Sequence, residues 1–141
     1  MRDRDVFVTH PAIGVLGRLM FTLIFFLSGV THFTDVRSYA ALMPPGTPYA
    51  PFWVMLSAVV ELLGATMILC NRWPRLGGWL IALFLIPVTI TVHGWLMLHA
   101  PDEANRQAQL SFFLKGITMT GAALLITQLG VTRPEPVSPR S

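Results

Sequence analysis

Charge is scarce in this sequence. Only 12% of its 141 residues are Asp, Glu, Lys or Arg, against about 25% in an ordinary soluble domain. That deficit excludes a typical water-soluble enzyme. A hydrophobic content of 53% equally excludes a disordered chain, which needs low hydrophobicity and high charge. Cysteine is nearly absent. Cys70 stands alone, so there is no intrachain disulfide and no Cys-x-x-Cys redox or zinc motif, and no metal site is expected. The phosphate-binding, dinucleotide, metalloprotease and serine-hydrolase motifs are all missing. Basic residues outnumber acidic ones by 10 to 7, but they are scattered singly, so nucleic acid is not an expected partner.

What the sequence has is long apolar runs. Residues 13–33 are interrupted only by Arg18 and His32, and residues 52–70 only by Glu61. Residues 76–98 hold no charge beyond His93, and residues 110–129 hold only Lys115. Each run is roughly 19–23 residues long, and about 20 helical residues cross a bilayer core. Helices satisfy their own backbone in lipid and open strands do not. The sequence therefore predicts an all-α, four-helix transmembrane bundle in contact with the lipid bilayer. The domain occupies residues 13–130, after an N-terminal segment 1–12 and before a proline-rich, disordered tail 131–141. The first run lacks a small-residue cleavage site and reads as a retained helix.

Basic residues set the expected orientation. Arg2, Arg4, Arg72, Arg75, Arg133 and Arg140 flank one side, and Arg37 and Arg106 flank the other. The positive-inside rule places both termini in the cytoplasm. The loop 35–51 and the polar loop 100–109 then face outward. Aligning the first run with the third pairs Gly17 with Gly77, and aligning the second with the fourth pairs Gly64 with Gly121. That pattern is compatible with a duplicated helical hairpin or with chance, since Leu, Gly and Ala abound in membrane helices.

The few polar residues fall in stripes. Arg18, Thr22, Phe25, Gly29 and His32 recur at spacings of four and three, which is one helical face. Ser57, Glu61 and Gly64 share a face, as do Thr89 and His93, and Ser111, Lys115 and Thr118. An ionisable group near the bilayer centre costs about 2.5–3.5 kcal/mol on insertion scales. The stripes should therefore turn inward and meet. Pro87 should disrupt the third helix near His93 and free the carbonyl of Leu83.

Each polar residue has a plain reading and a functional one. Arg18 and Glu61 can form a buried ion pair that fixes helix register. Alternatively Arg18 snorkels to the interface and Glu61 carries a proton. His93 can hydrogen-bond a neighbour, meet a quinone carbonyl, or ligate haem. Haem is not expected, because it wants two histidines at matching depth, and His32 and His93 differ in depth. Lys115 can contact a head group or snorkel toward Asp35, Asp102 or Glu103. Trp95 is a candidate pocket wall. Gly64, Gly116 and Gly121 are candidates for close helix packing.

The blocks GRLMFTLIFFLSGVTHF, VVELLGA, RLGGWLIALFLIPVTITVHGW and QAQLSFFLKGITMTGAALLI, in this order, resemble the DoxX family of small four-helix bacterial membrane proteins over about residues 16–129. The resemblance places Arg18, Glu61, His93, Gln109 and Lys115 on motif positions. Many members have Lys-Asn where this chain has Lys115–Gly116, so any role for that amide is lost here. The family is named for a small subunit of a terminal quinol oxidase, with relatives linked to thiosulfate:quinone oxidoreduction and to oxidoreductase assemblies against oxidative stress. The resemblance thus implies a subunit of a quinone-linked oxidoreductase or respiratory complex in the bacterial cytoplasmic membrane. Its partners would be other membrane or redox subunits, and it would not be catalytic alone. The expected site is Glu61 for proton exchange, or paired with Arg18, and His93, Lys115, Trp95 and His32 around a quinone or another small molecule. The rival reading is a non-catalytic accessory subunit that stabilises a larger membrane complex.

Overall fold

The computed structural model describes residues 10–128. The tail 131–141 and most of the segment 1–12 lie outside them. Four long helices cross the molecule: α1 (Pro11–Thr34), α3 (Ala50–Leu69), α4 (Pro74–Leu98) and α5 (Glu103–Gln128). A six-residue helix, α2 (Val36–Ala41), lies in the first loop. All four long helices are long and apolar enough to span a bilayer, and the chain is a multi-pass membrane protein.

Local chemistry explains where the helices start. Three of them carry proline in the first turn (Pro11, Pro51 and Pro74), where its missing N–H costs nothing and its fixed φ suits the helix. His10 Nδ1 accepts from Ala12 N at the head of α1. The fourth helix begins well before its apolar run. The polar loop expected at 100–109 is helical from Glu103 onward, because the Asp102 carboxylate accepts from Asn105 N at 2.8 Å and caps the new helix. Apolar periodicity could not reveal a polar first turn.

Pro87 leaves its mark as a π-helical stretch, Thr89–Gly94, inside α4. The proline cannot donate to Leu83. Two residues later the backbone widens into the looser turn, a form common at functional sites. Thr91 Oγ1 donates to Pro87 O at 2.7 Å, so the proline carbonyl is satisfied by a side chain.

The helices pack in chain order: α1 on α3, α3 on α4, and α4 on α5. No Cα of α1 comes within 8 Å of one in α5, so the two backbones stand apart and leave a seam in the bundle. The α3–α4 contact brings two glycine backbones together. A Cβ on Gly77 would lie 2.7 Å from Gly64 O, and one on Gly64 would lie 3.1 Å from Gly77 O. Gly116 also permits close packing, since a Cβ there would collide with Thr89 Oγ1. Gly121 does not: nothing lies within 4 Å of its would-be Cβ, and the same holds for Gly17. The aligned pairs Gly17/Gly77 and Gly64/Gly121 therefore have unlike surroundings, and glycine packing lends the duplicated hairpin no support. The apolar core, with Phe25, Ala65, Ile68, Ile81, Leu85 and Ala123 buried, joins all four long helices.

Candidate functional site

Register decides which polar groups meet. Gly29 faces Ala58 and Leu62, whose atoms lie within 3.3 Å of its would-be Cβ. Glu61 is thus level with the last two turns of α1. Arg18 is eleven residues before Gly29, about 16 Å further along the axis at 1.5 Å per residue. The expected Arg18–Glu61 ion pair is not formed. Instead Arg18 reaches back toward Gly14, with a guanidinium nitrogen 3.8 Å from that residue's would-be Cβ. This is the direction in which helical side chains lean and in which a long cation snorkels.

Glu61 meets His32. His32 Nδ1 lies 2.9 Å from Glu61 Oε1, with the glutamate side chain fully buried and the histidine side chain 11% exposed. The approach is close but out of line for an N–H···O bond, and neither carboxylate oxygen has a hydrogen-bond donor. The same Nδ1 lies 3.3 Å from Ser57 Oγ. Tyr39 of α2 covers the imidazole edge-to-face, with ring centroids 4.2 Å apart. His32 therefore stands behind Glu61 and does not line the cavity described next. Tyr39 was not legible in the sequence, because six residues of α2 within a proline-rich loop carry no periodicity.

Glu61, His93 and Lys115 do line one cavity, of about 210 Å³, together with Phe25, Thr89 and Phe112. Its inner wall, on α3 and α4, includes the buried Glu61, Leu85 and Thr89. Its lining residues on α1 and α5 include Ile24, Phe112 and Lys115, which are exposed. The mouth therefore lies at the seam, toward the lipid. His93 Nδ1 is 3.2 Å from Gln109 Oε1, and its ring stacks on Phe112 with centroids 5.5 Å apart. Lys115 Nζ lies 5.3 Å from the same Phe112 ring. Among the described residues Lys115 has no carboxylate partner, so snorkelling to Asp35, Asp102 or Glu103 does not occur. Gln109, Phe112 and Lys115 follow at three-residue spacing on one face of α5.

Trp95 is not a wall of this cavity. It stacks on His99 with centroids 3.6 Å apart. Two positions beyond His93, it falls on the opposite side of the helix. Thr89 is a wall. Its hydroxyl is buried without a hydrogen-bond partner and fills the space beside Gly116.

A cavity lined by orphaned polar groups, an exposed lysine and a histidine can bind a small head group that offers both donors and acceptors. Burying a polar group without a partner costs about 1–3 kcal/mol in proteins. A ligand or water that satisfies Glu61 and Thr89 recovers part of that cost.

No curated protein and no solved structure matches the chain. The family model described as DoxX matches residues 14–94, which covers more than half of the chain, three of the four long helices, and both Glu61 and His93. The chain belongs to the DoxX family.

Proposed function

We propose that this protein is a subunit of a quinone-linked oxidoreductase or respiratory complex in the bacterial cytoplasmic membrane, and that the seam cavity takes the quinone head group. The observation that carries this reading is the cavity itself. It joins Glu61, with two unpaired carboxylate oxygens, to His93 and Lys115, and it opens sideways toward lipid. A hydroquinone hydroxyl is the kind of donor that Glu61 lacks. Lys115 would donate to the opposite oxygen and favour an anionic head group. His93, steadied by Gln109, would hydrogen-bond the ring oxygens beside Phe112. Glu61 would accept or return the proton. Electron transfer is assigned to partner subunits. The α3–α4 turn, with Arg72 and Arg75, is placed on the cytoplasmic side with both chain ends.

The test is purification from native membranes in mild detergent, followed by mass spectrometry of bound small molecules and co-purifying proteins. The wild-type protein should carry a quinone and a redox partner. Glu61→Gln combined with Lys115→Met should lower quinone retention by about tenfold or more, equal to about 1.4 kcal/mol of affinity, while keeping the partner. A partner with no quinone in either sample would replace this reading with that of an accessory subunit.

A further inference from the structure

We propose that His32 is the proton-exchange partner of Glu61 and connects the buried carboxyl to water at the α2 end of the bundle. Glu61 has no exposed surface, and its oxygens have no hydrogen-bond donor. An ionised carboxylate in that position is costly unless a counter-charge is present. Ionisable groups around it are few. His32 touches it at 2.9 Å. Across the cavity α4 presents His93 and α5 presents Lys115. Arg18 is turned toward Gly14, near the other end of α1. On α2, the Tyr39 hydroxyl is engaged with Thr31 Oγ1 at 2.9 Å, and the Asp35 carboxylate accepts from Ser38 N. His32 is thus the only ionisable side chain in contact with Glu61 among the described residues.

Position supports the route. Glu61 sits mid-helix, whereas His32 is two residues from the end of α1. The imidazole keeps a narrow exposed edge, and Tyr39 lies against its ring. Histidine is the side chain whose ordinary pKa lets it gain and lose a proton near neutrality. Ser57 Oγ donates to Val54 O at 2.7 Å, so toward His32 it can only accept. It therefore favours a ring with hydrogen on Nδ1.

The exchange balances without a further reactant. Once the imidazole turns into line with the carboxyl, protonated Glu61 gives its proton to Nδ1 of a ring carrying hydrogen on Nε2, leaving a carboxylate and an imidazolium. The imidazolium loses the Nε2 proton to water, leaving the Nδ1–H form held by Ser57. Uptake is the reverse. No ligand in the seam cavity is required, so the inference stands or falls apart from the quinone reading.

The test uses the full chain in liposomes of determined orientation. The infrared carbonyl band of protonated Glu61 is assigned by its loss in Glu61→Gln. A pH jump is then applied to one side at a time. The band should follow the pH on the α2 side. In His32→Gln the response should slow by about 100-fold or more, the scale of a positioned proton-transfer group. Imidazole added on that side should restore it in His32→Ala. Tyr39→Ala, which uncovers a native His32, should speed the response even if the His32 variants do not fold. A band that follows the opposite side, a band that never titrates, an unchanged rate in His32→Gln, failure of imidazole in a folded His32→Ala, or no acceleration in Tyr39→Ala would overturn the proposal.

Discussion

His32 Nδ1 and Glu61 Oε1 lie 2.9 Å apart across the α1–α3 interface, and this contact replaces the arginine–glutamate pair that the sequence suggested. The reason is axial distance. A glutamate in the middle of α3 faces the end of α1 in an antiparallel pair, and Arg18 is near the beginning of that helix.

Removing one member of this pair should cost more than removing both. His32→Leu leaves the Glu61 carboxyl group buried without its polar neighbour, and leaving a buried polar group unpaired typically costs about 1–3 kcal/mol. His32→Leu with Glu61→Leu removes both polar groups and should recover most of the loss. Thermal unfolding in detergent of the two single variants and the double variant measures the difference. A double-variant loss equal to the sum of the two single losses would show that the contact carries no coupling.

Gly116 and Thr89 should also behave as a coupled pair. Gly116→Ala places a Cβ against the Thr89 hydroxyl, and overpacking of this kind typically costs about 1–3 kcal/mol. Adding Thr89→Ala removes the two closest of the contacts this Cβ would make, leaving the residue 89 Cβ at 3.0 Å, and removes a hydroxyl that has no partner. The double variant should melt above Gly116→Ala alone.

The α3–α4 crossing is predicted to tolerate no side chain. Gly77→Ala would press a methyl group against the Gly64 backbone and should lower the melting temperature, with a loss of about 1–3 kcal/mol. Gly121→Ala meets open space and should leave melting unchanged or raise it, because alanine favours helix over glycine. A fall in Gly121→Ala as large as that in Gly77→Ala would contradict the packing described.

At the head of α5 the backbone N–H of Asn105 holds the Asp102 carboxyl below its ordinary value of 3.8, helped by the Asn105 side chain. A depressed carboxyl stabilises the folded cap above its unfolded pKa. That contribution is lost as pH falls from 3.8 through the lower folded value. Amide exchange at Asn105 should therefore rise relative to that at Phe113 in acid, once the intrinsic pH effect is removed. Asp102→Ala should show the raised exchange already at neutral pH.

Much of the architecture was legible in the residues. The four apolar runs gave the four spans, and the three- and four-residue spacing of Thr22, Phe25, Gly29 and His32 anticipated the buried face of α1. Glu61, His93 and Lys115 were the ionisable groups in three of the runs, and they converge on one cavity. The sequence did not disclose α2, the early start of α5 or the π stretch. Short capped turns and backbone rearrangements depend on single hydrogen bonds, and apolar periodicity does not record those.

By itself the sequence determined that this chain spans a membrane four times and that its rare ionisable groups fall on narrow helical stripes; Glu61 and His32 are buried as those stripes predicted, whereas Lys115, with Ser111 and Thr118, stays exposed. Long apolar helices are the affordable form there, and unpaired charge is not. The tertiary structure decided which of those groups touch. It set Gly29 against Ala58 and Leu62, which moved Arg18 out of reach of Glu61 and brought His32 in, and it left α1 and α5 apart. Helix register and the closure of a seam follow from side-chain shape across an interface, and no periodicity along a single helix carries that information.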